Sequence, residues 1–447
     1  MTDLSVSPPE DTGTLDEAID YLYRLPRGSK PVGLLRAEEF FRQLGSPQDA
    51  VRTVHVAGTA GKGSVSAFVA SILTAHGFQV GTHVSPHVRT ILERFQIGGA
   101  PISPLEFIKT VRDLAPTINA VAATQLGTPT FFEATNAVAF SQFASGRLDY
   151  AVVETGVGGL FDATNTISRR DKLAVITQIG IDHVRLLGDT TVKIAAHKAG
   201  ILPVDGHAIV LRHHEARVRT TISQAAQSKH CRTYVVDPRA ISCSVDPAGT
   251  VLHVDDATYP LGLQGHHQGI NAILALHATR YLADRDGWRL TPEAIRKGLA
   301  QTWLPGRFER HTVAGRDVIL DGAHNNVKLI ALVETVRACY PGRRATWVLA
   351  AKADKDLQSV LTAITPIAAS VVGTQLPEVR ACPVAPCIPA TAVAEQARAR
   401  GLPAFAVADP AVAVEIALNL NAGPIVVTGS FLHLSAADRT LTTDIAR

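Results

Sequence analysis

RTVHVAGTAGKGSVSAFVASILTAHG, residues 52–77, is the stretch on which the fold turns. RTVHVAG is apolar and β-rich and reads as a buried strand. The glycine-rich turn GTAGKGS (58–64) follows, and the remainder places Val65, Phe68, Val69 and Ile72 at i, i+3, i+4 and i+7, the stripe of an amphipathic helix. Gly77 stands where a C-cap belongs. In a strand–turn–helix unit the glycines let backbone N–H groups converge, and the helix amino end adds positive potential. The loop is therefore a candidate polyphosphate site. Lys62 would neutralise phosphate charge, and a hydroxyl just beyond it would hold magnesium. The usual G-x4-G-K-[ST] spacing is not met, because position 56 is Val, Gly63 follows Lys62, and the hydroxyl arrives one place late at Ser64. That displacement argues against an ordinary kinase or GTPase. The bland alternative is a glycine turn with a solvated lysine.

Outward from this unit, YAVVE (150–154), LAVITQI (173–179) and HAIVL (207–211) read as further strands separated by helical-period segments, which predicts an α/β fold with a parallel-rich sheet. Around LPGRFERHTVAG (304–315) the pattern restarts with RDVILDG. WVLAA, VVGTQL, FAVAD and IVVTGS then alternate with helical-length segments. We place a boundary there, giving domains 1–303 and 304–447, the second a smaller Rossmann-like open sheet. Two domains also suit 447 residues of which 46% are hydrophobic. Lys and Arg number 43 against 40 Asp and Glu, too balanced for nucleic acid or an anionic membrane as the main partner. Any anion site must be local.

Five scattered cysteines without paired metal spacings fit a reduced, cytoplasmic protein; Cys382 and Cys387 lie close together in ACPVAPC but have no second pair. The start, MTDLSVSPPEDTGTLDEA, lacks the basic and apolar runs of a signal peptide, and no apolar stretch reaches the ~18 to 20 residues of a membrane span.

Lysines number only 11, so one in a glycine loop and another in HKAGIL each call for a reason. Glu154 closes the strand YAVVE before TGVGG, at the carboxyl edge where a doubly wound sheet gathers its ligands. It reads either as a magnesium ligand or as a carboxylate capping the glycine turn. His183, in QIGIDHVRLLGDT, reads as ending another strand, as a metal ligand or as a packed or solvated ring.

Taken together these segments resemble the folylpolyglutamate synthase and dihydrofolate synthase family, the folate branch of the Mur ligases. The resemblance is carried by HVAGTAGKGS (55–64), SPH (85–87) with ER at 93 and 94, APIS (100–103), TFFEATNAVAF (130–140), VVETGVGG (152–159) and DATN (162–165). It continues through IGIDHVRLLGDT (179–190), HKAGIL (197–202), HHQGINAILAL (266–276), PGRFE (305–309), DGAHN (321–325) and VTGS (427–430).

The resemblance implies a Mur-ligase-like P-loop ATP-binding domain followed by the Rossmann-like domain. It implies ATP-dependent amide formation, with L-glutamate added to a dihydropteroate or folate carboxylate through an acyl phosphate. Gly58, Thr59, Gly61, Lys62, Gly63 and Ser64 would bind the ATP phosphates, and Asn271, Arg307 and Asp321 would contact the nucleotide. Ser64, Ser85, Glu154 and His183 would hold magnesium. Lys198 matches the family lysine that becomes carbamylated, able then to help hold a second ion. Lys62, Lys198 and His324 would serve the chemistry, with His324 near the phosphates. Thr130, Phe131, Phe132, Glu133 and Asp162 would lie against the pterin. Residues from both domains would complete one ATP site, closing before the activated intermediate forms. The family is mostly monomeric.

The chain departs from the family at several places. Leu160 stands where Arg is usual, Leu92 for Asn, His197 for the Glu before the modified lysine, Asn326 for Pro and Ala60 for Asn. Leu160 and Leu92 lie in segments that shape the acceptor side, whereas the phosphate and magnesium residues survive. The alternatives are a same-fold ligase acting on a non-folate carboxylate and a non-catalytic nucleotide-binding paralogue.

Overall fold

The computed structural model describes residues 13–28, 33–353, 355–376, 386–420 and 422–442. Cys382 and residues 1–12 lie outside the described residues, and Cys387 is a free thiol. The chain divides into two compact units. One comprises Met1–Ser85, Thr90–Ile241 and Ile270–Gln301, the other Pro86–Arg89, Ser242–Gly269 and Thr302–Arg447.

The first unit is built on eight strands: β1 (Arg52–Ala57), β2 (Val80–His83), β3 (Phe95–Ile97), β4 (Ala100–Pro101), β5 (Tyr150–Glu154), β6 (Leu173–Ile176), β7 (His207–Leu211) and β8 (Arg232–Val236). Their order is β4-β3-β2-β5-β1-β6-β7-β8. The six strands from β2 to β8 pair in parallel, and β3 and β4 add an antiparallel edge. Parallel strands covered on both faces need nearly continuous apolar sequence, and YAVVE and LAVI are buried at every position. The chain leaves β1 for β2 on one side, then crosses from β5 to β6 on the other. The reversal falls at β1, so the crevice beyond its carboxyl end, flanked by β5 and β6, is where an open sheet of this kind gathers ligands.

The helix Lys62–Ala75 follows β1 directly. Val65, Phe68, Val69 and Ile72, the predicted stripe, are fully buried together with Leu73. Each contributes about 1.5–3 kcal/mol relative to an exposed side chain. The helix ends at His76, and Gly77 takes a left-handed φ of 91°, as its C-cap role requires.

The second unit contains an antiparallel meander of β9 (Ser242–Asp246), β10 (Gly249–Val254) and β11 (Ala257–Leu261). Its main sheet has β12 (Glu309–Val313), β13 (Arg316–Leu320), β14 (Ala345–Leu349), β15 (Ala368–Gly373), β16 (Ala404–Ala406) and β17 (Ile425–Thr428), in the order β12-β13-β17-β14-β15-β16. All pairs are parallel except β12 with β13. Ile319, Trp347, Val371 and Val426 pack one face against the helices Asn326–Cys339, Leu357–Ile364 and Ala390–Arg398. Leu320, Val348, Val372 and Val427 pack the other against Pro410–Leu418 and Phe431–Thr442. This is a doubly wound layer structure, as the strand and helix alternation predicts.

Candidate active site

The phosphate loop is held open at two glycines. Gly61 has φ 85° and lies against Asn271, whose Oδ1 would be 2.3 Å from any Cβ there; at Gly58 a Cβ would meet Thr177 Oγ1 at 1.8 Å. Only glycine fits either place. Residues beyond β6 pin the loop. Thr59 N–H donates to Gln178 O (2.7 Å), the Thr59 hydroxyl donates to Gly180 O (2.9 Å), and the Thr177 hydroxyl donates to Ala60 O (2.6 Å). The helix Lys62–Ala75 starts at Gly61 with no side-chain cap and no acidic residue in its first turn. Thr130 and Asn325, by contrast, cap their helices with side-chain oxygens. The first N–H groups after Gly61 are thus left for an anion, where the helix dipole favours one.

Lys62 Nζ is 3.7 Å from Oε1 of Glu154, and the other carboxylate oxygen accepts from Ser85 N–H at 2.9 Å. Glu154 is 4% exposed and Ser64 3%. Serine hydroxyls at Ser64 and Ser85 and the Glu154 carboxylate are hard-oxygen donors, the chemistry that could hold magnesium, which binds through few carboxylates plus phosphate oxygens. Lys198 is buried, and its Nζ donates to Gly58 O at 2.7 Å. As an ammonium it has no lone pair for a metal. Gly58, Thr59, Gly61, Lys62, Gly63, Ser64, Ser85, Glu154, Lys198 and Asn271 are therefore brought together around one loop. His183 does not end a strand. β6 stops at Ile176, and His183 is an exposed residue at φ 51° opening the short helix Val184–Leu187. Gln178 and Gly180 use the intervening backbone to brace the loop, and that keeps the segment out of the sheet.

The helix Phe131–Ser145 supplies the predicted acceptor residues. Thr130 and Glu133 form a capping box, and Glu133 also takes a two-pronged ion pair from buried Arg36 (2.8 and 3.1 Å). Phe131 stacks on Tyr23 and lies beneath two guanidinium groups, those of Arg27 and Arg94. Burial, reinforced by the Arg27 charge, pushes Arg94 down to about 10. Phe132 rests against Gly156. Asp162 is buried, and both its oxygens accept hydrogen bonds, from Val157 N–H on one side and from Thr164 N–H and hydroxyl on the other. Burial raises its pKa against the pull of those donors. Arg36, Arg27 and Thr177 carry no motif signal, since their partners lie far away in sequence.

Among the departures, Leu160 is partly exposed beside exposed Phe161, and its N–H donates to His197 O at 2.7 Å. The His197 ring meets Phe161 edge-on. Leu92 is buried, and Asn326 is exposed at the start of its helix.

In the second unit, Asp321 closes β13 and accepts from Phe308 N–H and Ala323 N–H, both at 2.8 Å. Burial raises its pKa while Arg307 opposes the shift. Arg307 lies over the Phe431 ring at 4.3 Å. His324 meets the same ring edge-on, donates from Nδ1 to Gly322 O, and accepts at Nε2 from Lys328. Arg307, Asp321 and His324 thus share one neighbourhood, to which the structure adds Lys328 and Phe431.

Among the described residues two other clusters have metal-ligand chemistry. In the first, both ring nitrogens of His213 are engaged, with Ile179 O and Glu215 N–H. In the second, the Arg89 guanidinium already bridges Glu309 and Asp438. No helix among the described residues is long and apolar enough to cross a membrane.

A model of the Mur ligase middle domain matches residues 56–279, and one of the Mur ligase glutamate ligase domain matches 306–431. The dihydrofolate synthase/folylpolyglutamate synthase of Bacillus subtilis (strain 168) is 36% identical over 358 residues, 77% of this chain and 81% of that protein. The chain belongs to the folylpolyglutamate synthase/dihydrofolate synthase family. As a member of that family it is an ATP-dependent Mur-type glutamate ligase. The Mycobacterium tuberculosis dihydrofolate synthase/folylpolyglutamate synthase is 34% identical over 394 residues, covering 83% of this chain and 80% of its own. A crystal structure of folylpolyglutamate synthase from that organism, complexed with ADP and AMPPCP, has a TM-score of 0.84 at 30% identity, covering 96% of this chain and 98% of its own. E. coli FolC in complex with DHPP and ADP has a TM-score of 0.82 at 27% identity, covering 98% and 100%. The capless helix start and the Lys62–Glu154–Ser85 constellation are where this family member's sequence motifs converge in space.

Proposed function

We propose that the protein joins L-glutamate to the carboxylate of dihydropteroate, of a folate, or of both, consuming ATP. The observation that carries this reading is the glycine-opened helix start with Lys62 and Glu154 facing each other beside it. In this reading Gly58, Thr59, Gly61, Gly63 and Ser64 cradle the triphosphate, and Lys62 turns from Glu154 to the phosphates. Asn271, Arg307 and Asp321 contact the nucleotide. Magnesium would be held by Ser64, Ser85, Glu154 and His183 and would offset the charge of the phosphate oxygens. Lys198, once carbamylated, becomes an anion able to help hold a second ion; unmodified, it braces Gly58 instead.

An oxygen of the acceptor carboxylate attacks the γ-phosphorus, the bond to the β-phosphate oxygen breaks, and ADP leaves. The glutamate nitrogen then attacks the acyl carbon, loses a proton, and expels phosphate. Carboxylate and amine do not condense unaided in neutral water, so the anhydride is required. Three anionic groups must meet, and Lys62 with the helix dipole lowers that repulsion. The acceptor lies along Thr130, Phe131, Phe132 and Glu133 and the loop held by Asp162. His324, hydrogen-bonded to Gly322 O and Lys328, serves near the phosphates.

The test offers purified protein ATP, magnesium and L-glutamate with dihydropteroate, tetrahydrofolate or no acceptor. ADP release that depends on a pterin, with a product heavier by one glutamyl group, supports the reading. ADP release without pterin dependence, or none at all, overturns it.

A further inference from the structure

His55, on β1 three residues before the phosphate loop, is fully buried and stands outside every role described so far. Its Nε2 is 2.7 Å from Thr164 Oγ1, and that hydroxyl is 2.6 Å from Asp162 Oδ1. The opposite carboxylate oxygen accepts Val157 N–H at 2.8 Å, in the middle of TGVGG. Proton counting fixes the direction of this chain. A carboxylate that accepts two backbone amides is an acceptor, so Thr164 donates its only hydroxyl proton to Asp162. The lone pair of Thr164 then takes the proton on His55 Nε2. His55 is a neutral ring in one tautomer; burial and the nearby Lys172 charge hold its pKa well below the usual histidine value.

Besides Thr155 N–H on Val56 O, which ties its first residue to β1, and Asn165 Nδ2 on Leu160 O, the loop 155–162 is held at two further points. One is His55, on the strand that runs directly into the phosphate loop. The other is His197 O, which accepts Leu160 N–H one residue before Lys198, whose Nζ holds Gly58 O. Both anchors lead back to residue 58. We propose that His55 is a positioning residue of the ligase: through Thr164 and Asp162 it sets the acceptor loop at a fixed distance from the phosphate loop without touching either substrate. The inference rests on the acceptor reading of Asp162 above.

The test compares His55→Leu, which removes the donor, with His55→Gln, which keeps an N–H within reach, and with Thr164→Val, which removes the relay hydroxyl at constant shape. KM and kcat are measured separately for the pterin and for ATP, and amide hydrogen exchange is followed at Val157 and Thr164. The expected result for His55→Leu and Thr164→Val is a pterin KM raised about tenfold, an ATP KM within about twofold of the parent, and faster exchange at Val157. His55→Gln restores most of both. An equal loss on both substrates, or Leu and Gln variants that cannot be told apart, overturns the proposal. If the parent enzyme turns over no pterin, the acceptor reading fails and the exchange data alone judge the relay. Should His55→Leu not fold, unchanged exchange at Val157 in Thr164→Val refutes it.

Discussion

Lys62 and Glu154 hold each other at 3.7 Å with the carboxylate 4% exposed, and in the proposed reading nucleotide binding exchanges that pairing for phosphate and metal. Lys62→Ala should lower kcat by about a thousandfold while the protein still folds, checked by ADP release and circular dichroism. Near-normal turnover would mean the phosphates bind elsewhere. At this scale the sequence was informative wherever a residue's role is local. Gly61, Lys62 and Ser64 announce themselves because a loop between strand and helix needs glycine, cation and hydroxyl within a few positions. Arg36 and His55 did not. Their partners Glu133 and Thr164 are 97 and 109 residues away, and a buried basic residue shows nothing along the chain that distinguishes it from an exposed one.

Among elements, the helix Phe131–Ser145 is anchored at its start by the Arg36–Glu133 pair, whose side chains are 5% and 7% exposed. Removing one partner leaves a buried charge without compensation, so Arg36→Ala should destabilise the protein by about 3–5 kcal/mol in urea unfolding. The double change Arg36→Met with Glu133→Leu should recover most of that loss; a double variant as weak as the single one contradicts this account of the helix start. Parallel strands such as β5 and β7 were legible because burial on both faces demands unbroken apolar runs. The meander β9–β11 and the edge strand β12 were not. Ser242–Asp246 alternates between exposed and half-buried residues, and Glu309–Val313 is polar at four of its five positions, which gives a weak periodic signal. The segment after β6 misled in the other direction: its apolar run continues the strand pattern, but its backbone bonds to Thr59 and Ala60 instead.

For the whole molecule, buried histidines make stability depend on pH. Burial holds His83 and His433 down at about 4, below the ordinary value of 6.5, and at half-buried His267 desolvation and the Arg307 charge do the same. The unfolded chain therefore binds more protons between those limits, so the stabilisation is complete above about 6.5 and is lost as pH falls toward 4. Glu309 is raised by burial but held down at about 2 by His311, Arg89 and Gly306 N–H, and its contribution is lost below about 4.5. The melting temperature should be level at neutral pH and decline continuously from about 6.5 downward; His83→Asn, which keeps a donor toward Arg94 O, should shallow the upper part of that decline. A melting temperature that does not change between pH 7 and 5 contradicts the neutral burial of these rings.

In the proposed reaction ATP activates the acceptor carboxylate rather than merely being hydrolysed beside it. The direct measurement uses dihydropteroate or folate whose carboxylate carries heavy oxygen, with the released inorganic phosphate analysed by mass. The mechanism predicts one labelled oxygen in phosphate for each amide formed. Unlabelled phosphate accompanying amide product would contradict it.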